Sequence, residues 1–171
     1  MNILGIDPGL DGALAMYGDG QPSSNSTPHL QSTYEIPTAK ATGRGREVLW
    51  SELNVTWKDL FYWADHVFLE RVMSRRGEGV SSAFKFGMVF GGLRGMIAAK
   101  LIPLTLVTPR VWMKEMGVGR GSKEASIIRA EELFPSHVSQ FCGPRDGRKD
   151  GVAEAALIAK YGFDKLTKGQ T

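Results

Sequence analysis

The chain has 171 residues, of which 42% are hydrophobic and 23% charged, and its formal net charge at pH 7 is +3. This length predicts a single domain over residues 1–165 with a polar tail at 166–171. The single cysteine, Cys142, excludes an intramolecular disulfide and a cysteine-based metal cluster. Because no signal-like segment and no long apolar run is present, we expect a cytoplasmic protein without a membrane partner. The mild excess of base permits a nucleic-acid partner but does not indicate one.

The chain opens on an apolar run at residues 3–6 that leads into one carboxylate, Asp7, and then into a Pro-Gly turn. We interpret this run as a buried strand and residues 13–17 as the second arm of a hairpin. An aspartate before Pro-Gly is also a common turn residue. Because a charge at the end of a buried strand is costly to desolvate, the position favours a metal ligand.

The segment that follows the hairpin is less informative about function. Residues 18–32 are rich in Ser, Pro, Gly and Asn and predict a mobile hairpin tip, followed by a short strand at 33–36. Residues 39–46 predict a flexible basic loop that either reaches toward phosphates or is simply solvated. Apolar residues at helical spacing predict an amphipathic helix over residues 47–64, which the sequence around 54–56 could interrupt.

Residues 67–69 repeat the opening pattern, since a short apolar run again ends in one acid, Glu70. Parallel neighbouring strands place their carboxyl ends at the same edge of a sheet, so Asp7 and Glu70 would lie within reach of a shared cation. A salt bridge from Glu70 to Arg71 or Arg75 is the alternative.

A basic loop with two glycines follows at residues 71–79, and it places Arg71, Arg75 and Arg76 beside the predicted acidic site. Arginines next to a carboxylate–metal centre suit a polyanionic substrate, because they neutralise its phosphates.

A long helix is predicted at residues 80–100, with glycines four residues apart at positions 87, 91 and 95. These glycines leave a smooth face that lets another helix approach closely. The face either packs within the chain or contacts a second copy.

A strand is predicted at residues 104–107 and a short helix after Pro109. A glycine-rich segment then leads into a helix at 122–134, and its basic residues are Lys114, Arg120 and Lys123. Such a segment before a helix N-terminus can form a phosphate-binding surface, although a solvated charged loop is as plausible. Residues 135–149 are expected to be irregular.

The last helix is predicted at residues 150–161, with a frayed polar tail from Gly162. Asp150 and Glu154 lie one turn apart on the same face of this helix, where two acids repel each other unless a cation lies between them. The helix dipole alone accounts for Asp150 near the helix start. It does not account for Glu154 among alanines.

Two strand ends and one late helix therefore supply four carboxylates: Asp7, Glu70, Asp150 and Glu154. An all-oxygen set suits Mg²⁺ or Mn²⁺ rather than zinc. Two such ions per site could activate a water molecule and stabilise the leaving oxygen of a phosphodiester.

Four motifs, taken together and in this order, resemble RuvC-type Holliday junction resolvases, including shorter phage-like members: Gly5-Ile6-Asp7-Pro8-Gly9, Phe68-Leu69-Glu70, residues 117–123 and residues 150–159. The resemblance spans nearly the whole chain. It implies a ribonuclease H-like α/β fold, with a five-stranded mixed sheet flanked by helices on both faces. It also implies a homodimer that cuts two strands of a four-way DNA junction symmetrically, with Mg²⁺ at each active site.

By position, the resemblance implies that the metal ligands and catalytic carboxylates are Asp7, Glu70, Asp150 and Glu154. Lys114 and Lys123 match basic residues that assist catalysis or hold the scissile phosphate, and we include Lys123 among the catalytic residues. Met73 falls where such enzymes often place a wedge at the junction centre. With the arginines noted above, the expected DNA contacts are Arg71, Met73, Arg75, Arg76, Lys114, Arg120 and Lys123.

The chain departs from the family pattern at its last two acids. Family members commonly space these acids three residues apart and end on Asp, whereas here the spacing is four and the last acid is Glu154. Asp146, four residues before Asp150, is therefore an alternative ligand.

We expect a metal-dependent endonuclease that acts on four-way junctions or on branched DNA more generally. A junction-binding protein with a weakened site is one alternative, and the unusual spacing of the last two acids favours it. A small ATP-binding protein of the same superfold is another, because a strand ending in Asp-x-Gly before a hairpin also binds nucleotide phosphates. Those proteins need two such domains, however, and this chain has the length of one.

Overall fold

The computed structural model describes residues 1–20, 27–42, 45–71, 73, 79–119, 123–143 and 147–169. The strands are β1 (Asn2–Asp7), β2 (Ala13–Gly18), β3 (His29–Glu35), β4 (Thr38–Lys40), β5 (Arg46–Val48), β6 (His66–Glu70) and β7 (Leu104–Val107). The helices are α1 (Trp50–Trp63), α2 (Val80–Ala99), α3 (Pro109–Glu115), α4 (Lys123–Leu133) and α5 (Asp150–Lys168), with a 3₁₀ helix at Pro135–Phe141.

Five strands form one mixed sheet in the order β3-β2-β1-β6-β7. β1, β2 and β3 pair antiparallel, whereas β1 with β6 and β6 with β7 pair parallel. The five-stranded mixed sheet expected from the sequence is therefore confirmed. β4 and β5 form a separate two-stranded hairpin.

Helices cover both faces of this sheet, as expected. Side chains alternate along β1, so that Ile3 belongs to the core on one face and Leu4 to the core on the other. The first core is closed by α3, α4 and α5, and the second by α1 and α2. None of the helices in the described segments combines the length and the apolar character needed to cross a membrane.

α5 packs backbone to backbone against β1. A Cβ atom placed on Gly5 would lie 2.7 Å from the Ala159 Cα atom and closer still to the Ala155 carbonyl oxygen. At the start of the same helix, Gly151 lies directly against the backbone of Asp11 in the turn between β1 and β2. Glycines at both contacts thus let the helix backbone rest on the strand and on its turn.

Several sequence-based boundaries are wrong in the first half of the chain. β3 begins at His29 and not at residue 33, because Leu30 is buried and pairs with Tyr17 of β2. Residues 39–46 are not a plain loop, since they contribute to the β4–β5 hairpin. α1 begins only at Trp50 and continues without interruption to Trp63.

Two boundaries near the C-terminus are also wrong. A 3₁₀ helix occupies part of the stretch expected to be irregular, and it buries Phe141 in the core. α5 does not fray at Gly162 but continues to Lys168, and Leu166 packs against the core. The extension is held by packing, since Gly162 lies against the ring of Phe68.

Candidate active site

Asp7 and Glu70 lie at the same edge of the sheet, and their side chains are on the same face. β1 and β6 run parallel with Ile6 opposite Leu69, so the two acids follow at neighbouring strand ends. Asp7 has the same parity along β1 as Gly5, which rests on α5, and Glu70 has the same parity as Phe68, which packs in the α5-side core. The arrangement at one edge expected from the sequence is therefore present.

Asp7 is the electrostatic centre of this edge. The pKa of its carboxyl is raised well above the ordinary value, first by burial and then by the charges of Glu154, Glu70 and Asp150, in that order. A hydrogen bond from the Gly9 backbone N–H opposes the shift but does not cancel it. Each of the other three predicted carboxylates thus interacts with Asp7, and Glu154 does so more strongly than Asp150.

Glu70 is held by a residue that the sequence did not indicate. The indole N–H of Trp112, on α3, donates a hydrogen bond of 2.6 Å to Glu70 Oε2. Trp112 is only 1% exposed, so this donor reaches the half-buried carboxylate from inside the core. The aromatic residue alone gave no signal of this contact, because its partner lies 42 positions away in the chain.

Glu154 is held in a similar way from α4. The hydroxyl of Ser126, which is fully buried, donates a hydrogen bond of 3.1 Å to Glu154 Oε1. Asp150, the first residue of α5, stands one turn earlier on the face that carries Glu154. The local sequence did not indicate this contact, because Ser126 and Glu154 lie 28 positions apart in the chain.

These residues fit a divalent cation by the chemistry of their donors. All four side chains are half-buried carboxylates, which supply the hard oxygen ligands that Mg²⁺ and Mn²⁺ prefer. A cation among them would also relieve the repulsion that raises the pKa of Asp7. In the segments that the structure describes, however, no three acidic, His or Cys side chains are already gathered at coordinating distance.

A polar cleft of about 330 Å³ opens beside Asp150, and basic and acidic side chains line it in pairs. The ion pairs around it are Arg46–Asp11, Lys149–Glu35, Arg148–Glu124 and Arg148–Glu131. They join β5, β3 and α4 to the segments next to the acids. From the sequence, Arg46 was expected only as part of a basic loop, and no role was predicted for Arg148 or Lys149.

The expected DNA contacts are only partly described. Arg71, Met73 and Lys114 are exposed, and the Arg71 backbone N–H donates to the Val107 carbonyl at 2.7 Å. Lys123 is the first residue of α4. The remaining predicted residues lie outside the described residues, namely Arg75, Arg76, Arg120 and the alternative ligand Asp146.

Two solved structures are similar to this chain over nearly its whole length. RuvC of T. thermophilus in complex with a Holliday junction substrate superposes with a TM-score of 0.63 at 15% sequence identity, covering 98% of this chain and 96% of the other. A second structure of Thermus thermophilus RuvC gives a TM-score of 0.58 at 15% identity, covering 98% of each chain. No protein-family model and no curated protein matches the sequence. The resemblance expected from the motifs is thus confirmed at the level of the fold, and the chain has the ribonuclease H-like fold of RuvC.

Proposed function

We propose that this chain is a divalent-metal-dependent endonuclease that resolves four-way DNA junctions by paired, symmetric hydrolysis of phosphodiesters. The observation that carries the proposal is the convergence of three further carboxylates on Asp7 at one edge of the sheet. The fold adds support, because a RuvC of the same fold was solved with a Holliday junction substrate.

In this proposal the metal ligands are Asp7, Glu70, Asp150 and Glu154, with two Mg²⁺ or Mn²⁺ ions per site. Bound divalent ions supply Lewis-acid activation of water and stabilise the charge that develops on the phosphodiester. The chain's own part is to hold these half-buried carboxylates together at one sheet edge. Without cations their negative charge would repel DNA phosphates, so we expect metal loading and productive DNA binding to favour each other.

The basic side chains have separate roles in the proposal. Lys123 assists the reaction at the scissile phosphate, and Met73 stands as an exposed apolar wedge near the junction centre. The other DNA contacts would be Arg71, Arg75, Arg76, Lys114 and Arg120. Because such contacts act on phosphates, their loss should weaken binding to any DNA sequence and reduce its salt dependence.

We further propose that the active form is a homodimer, since paired symmetric cuts require two sites related by a two-fold axis. The exposed face of α2 is the candidate contact. Added Cβ atoms at Gly87, Gly91 and Gly95 would meet nothing within 4 Å, and Phe84 and Met88 beside them are 68% and 56% exposed. Packing of these glycines within the chain is thus not observed among the described residues. Gly91→Arg should give a monomer by light scattering that still binds junctions but loses paired cutting.

The test of the activity compares an end-labelled synthetic four-way junction with a linear duplex of the same sequence, each with Mg²⁺ and with chelator. We expect paired nicks in the junction only, and only with Mg²⁺. Cutting of flaps and forks as well would make the protein a general debranching nuclease. Equal cutting of the linear duplex would refute junction selectivity.

The second candidate is a junction-binding protein without nuclease activity. It is favoured by one observation, namely that no three metal-ligating side chains among the described residues lie together at coordinating distance. Tight junction binding without cleavage in Mg²⁺ or Mn²⁺ would establish this candidate in place of the first.

A further inference from the structure

Among the residues that the structure describes, two buried donors reach the acidic edge from the core. Trp112 is 1% exposed and Ser126 is fully buried, and each donates a hydrogen bond to one carboxylate of the site. An indole N–H can only donate, and a carboxylate has about four lone-pair positions on its two oxygens. One such donor occupies one of these positions and restricts the orientation of the carboxylate.

Another buried tryptophan of this fold lacks such a bond. Trp57, buried on the opposite face of the sheet, carries an indole N–H that has no hydrogen-bond partner among the described residues. The fold thus tolerates a fully buried indole without a partner. At Trp112 the N–H lies 2.6 Å from Glu70 Oε2, a short distance typical of a bond to a charged acceptor.

We infer that Trp112 and Ser126 are positioning residues that orient Glu70 and Glu154 for divalent-cation binding. This inference rests on the proposed function, because it takes these acids as metal ligands. Hydrogen bonds behind metal ligands restrict the directions that the ligands can adopt, and their loss typically weakens metal affinity or activity by about 10- to 100-fold. Trp112 acts from α3 and Ser126 from α4, so each acid is oriented by a different helix.

The first measurement is Mn²⁺ binding to the DNA-free protein by calorimetry, with matched variants. Trp112→Phe removes the donor to Glu70, and Trp57→Phe removes the same atoms from a buried indole without a partner. We expect Trp112→Phe to weaken Mn²⁺ binding by about 10-fold and Trp57→Phe to leave it within about twofold. Equal affinities of the two variants would overturn the inference for Trp112.

Ser126→Ala tests the second donor with little risk to folding, because alanine is smaller and favours helices. We expect a loss of at least about threefold in Mn²⁺ affinity, less than for Trp112→Phe, because the hydrogen bond from Ser126 is the longer one, at 3.1 Å against 2.6 Å. Ser51→Ala, on the exposed side of α1, is its control and should bind Mn²⁺ as the unmodified protein does. An unchanged affinity of Ser126→Ala would remove Ser126 from the inference.

A spectroscopic readout separates positioning from general packing and does not depend on a folded Trp112→Phe. In ¹⁵N–¹H spectra of the unmodified protein, titration with Mg²⁺ should shift the Trp112 indole cross-peak and leave that of Trp57 in place. Failure of the Trp112 peak to move as Mg²⁺ saturates would contradict the inference.

A flat Mn²⁺ isotherm for the unmodified protein would remove both the proposed metal site and the inference. Wild-type affinity in Trp112→Phe, beside intact junction cleavage, would remove the inference alone.

Discussion

Gly5 sets the distance between the strand that carries Asp7 and the helix that carries Glu154, and Gly5→Ala should break that spacing. The added Cβ would lie 2.7 Å from the Ala159 Cα atom, whereas carbon atoms prefer separations of about 3.5–4.0 Å. β1 and α5 must therefore separate by about 1 Å at a contact made of backbone atoms, which cannot rotate away as a side chain can.

Overpacking of a well-packed core typically costs about 1–3 kcal/mol, and the backbone contact places Gly5→Ala at the upper end, about 3 kcal/mol. For a domain of this size, 1 kcal/mol shifts the Tm by about 2–4 °C, so we expect a fall of about 6–12 °C by calorimetry. Since α5 would move away from β1, Mn²⁺ affinity at 20 °C should fall as well.

Gly119→Ala is the control for this substitution. A Cβ at Gly119 would meet nothing within 4 Å, so the same methyl group should leave the Tm unchanged or raise it slightly. A Tm for Gly5→Ala within about 2 °C of the control would refute the reasoning, because the α5–β1 contact would then be loose enough to absorb a methyl group.

Three further predictions concern the charges of the site. Asp7→Asn should abolish cleavage and keep junction binding, and in EDTA it should raise the Tm by about 2–8 °C, because it removes a desolvated carboxylate from among three others. The folded-state pKa of Asp7 lies above its ordinary value of 3.8, so in EDTA the free energy of unfolding of the unmodified protein should fall as the pH rises from about 4 through the raised pKa. Urea titrations of Asp7→Asn should not show this fall in the free energy of unfolding. Glu154→Gln should abolish cutting, whereas Asp146→Asn should not. The reverse result would show that Asp146, and not Glu154, is the ligand. Lys123→Ala should reduce cleavage more than binding, and an equal loss in gel-shift and nicking assays would make Lys123 a phosphate contact only.

The acidic edge could be predicted because short segments of sequence next to each acid indicate where it lies. Each of Asp7 and Glu70 directly follows a short apolar run, and an apolar run that ends in one acid indicates both a buried strand and the position of its end. The parallel pairing of β1 and β6 then fixes their proximity. The i, i+4 spacing of Asp150 and Glu154 gave the shared helix face for the same reason.

The features that could not be predicted depend on contacts between distant parts of the chain. The bond from Trp112 to Glu70 and that from Ser126 to Glu154 each join separate elements, and no local pattern specifies such a partner. The predicted end of α5 was too early because glycine disfavours a helix interior. In the fold, the absence of a side chain at Gly162 makes room for the ring of Phe68. Tertiary packing thus overrode local propensity at that position.

The ion pairs beside the polar cleft affect how the protein would exchange ions with DNA. Three cationic side chains there already have carboxylate partners: Arg46, Arg148 and Lys149. A DNA phosphate that contacts one of them replaces an internal anion, and the displaced carboxylate must then be neutralised by cations from solution. Uptake of those cations offsets part of the counterion release that drives DNA binding. The salt dependence of junction affinity should therefore be shallower than the number of basic residues around the cleft suggests.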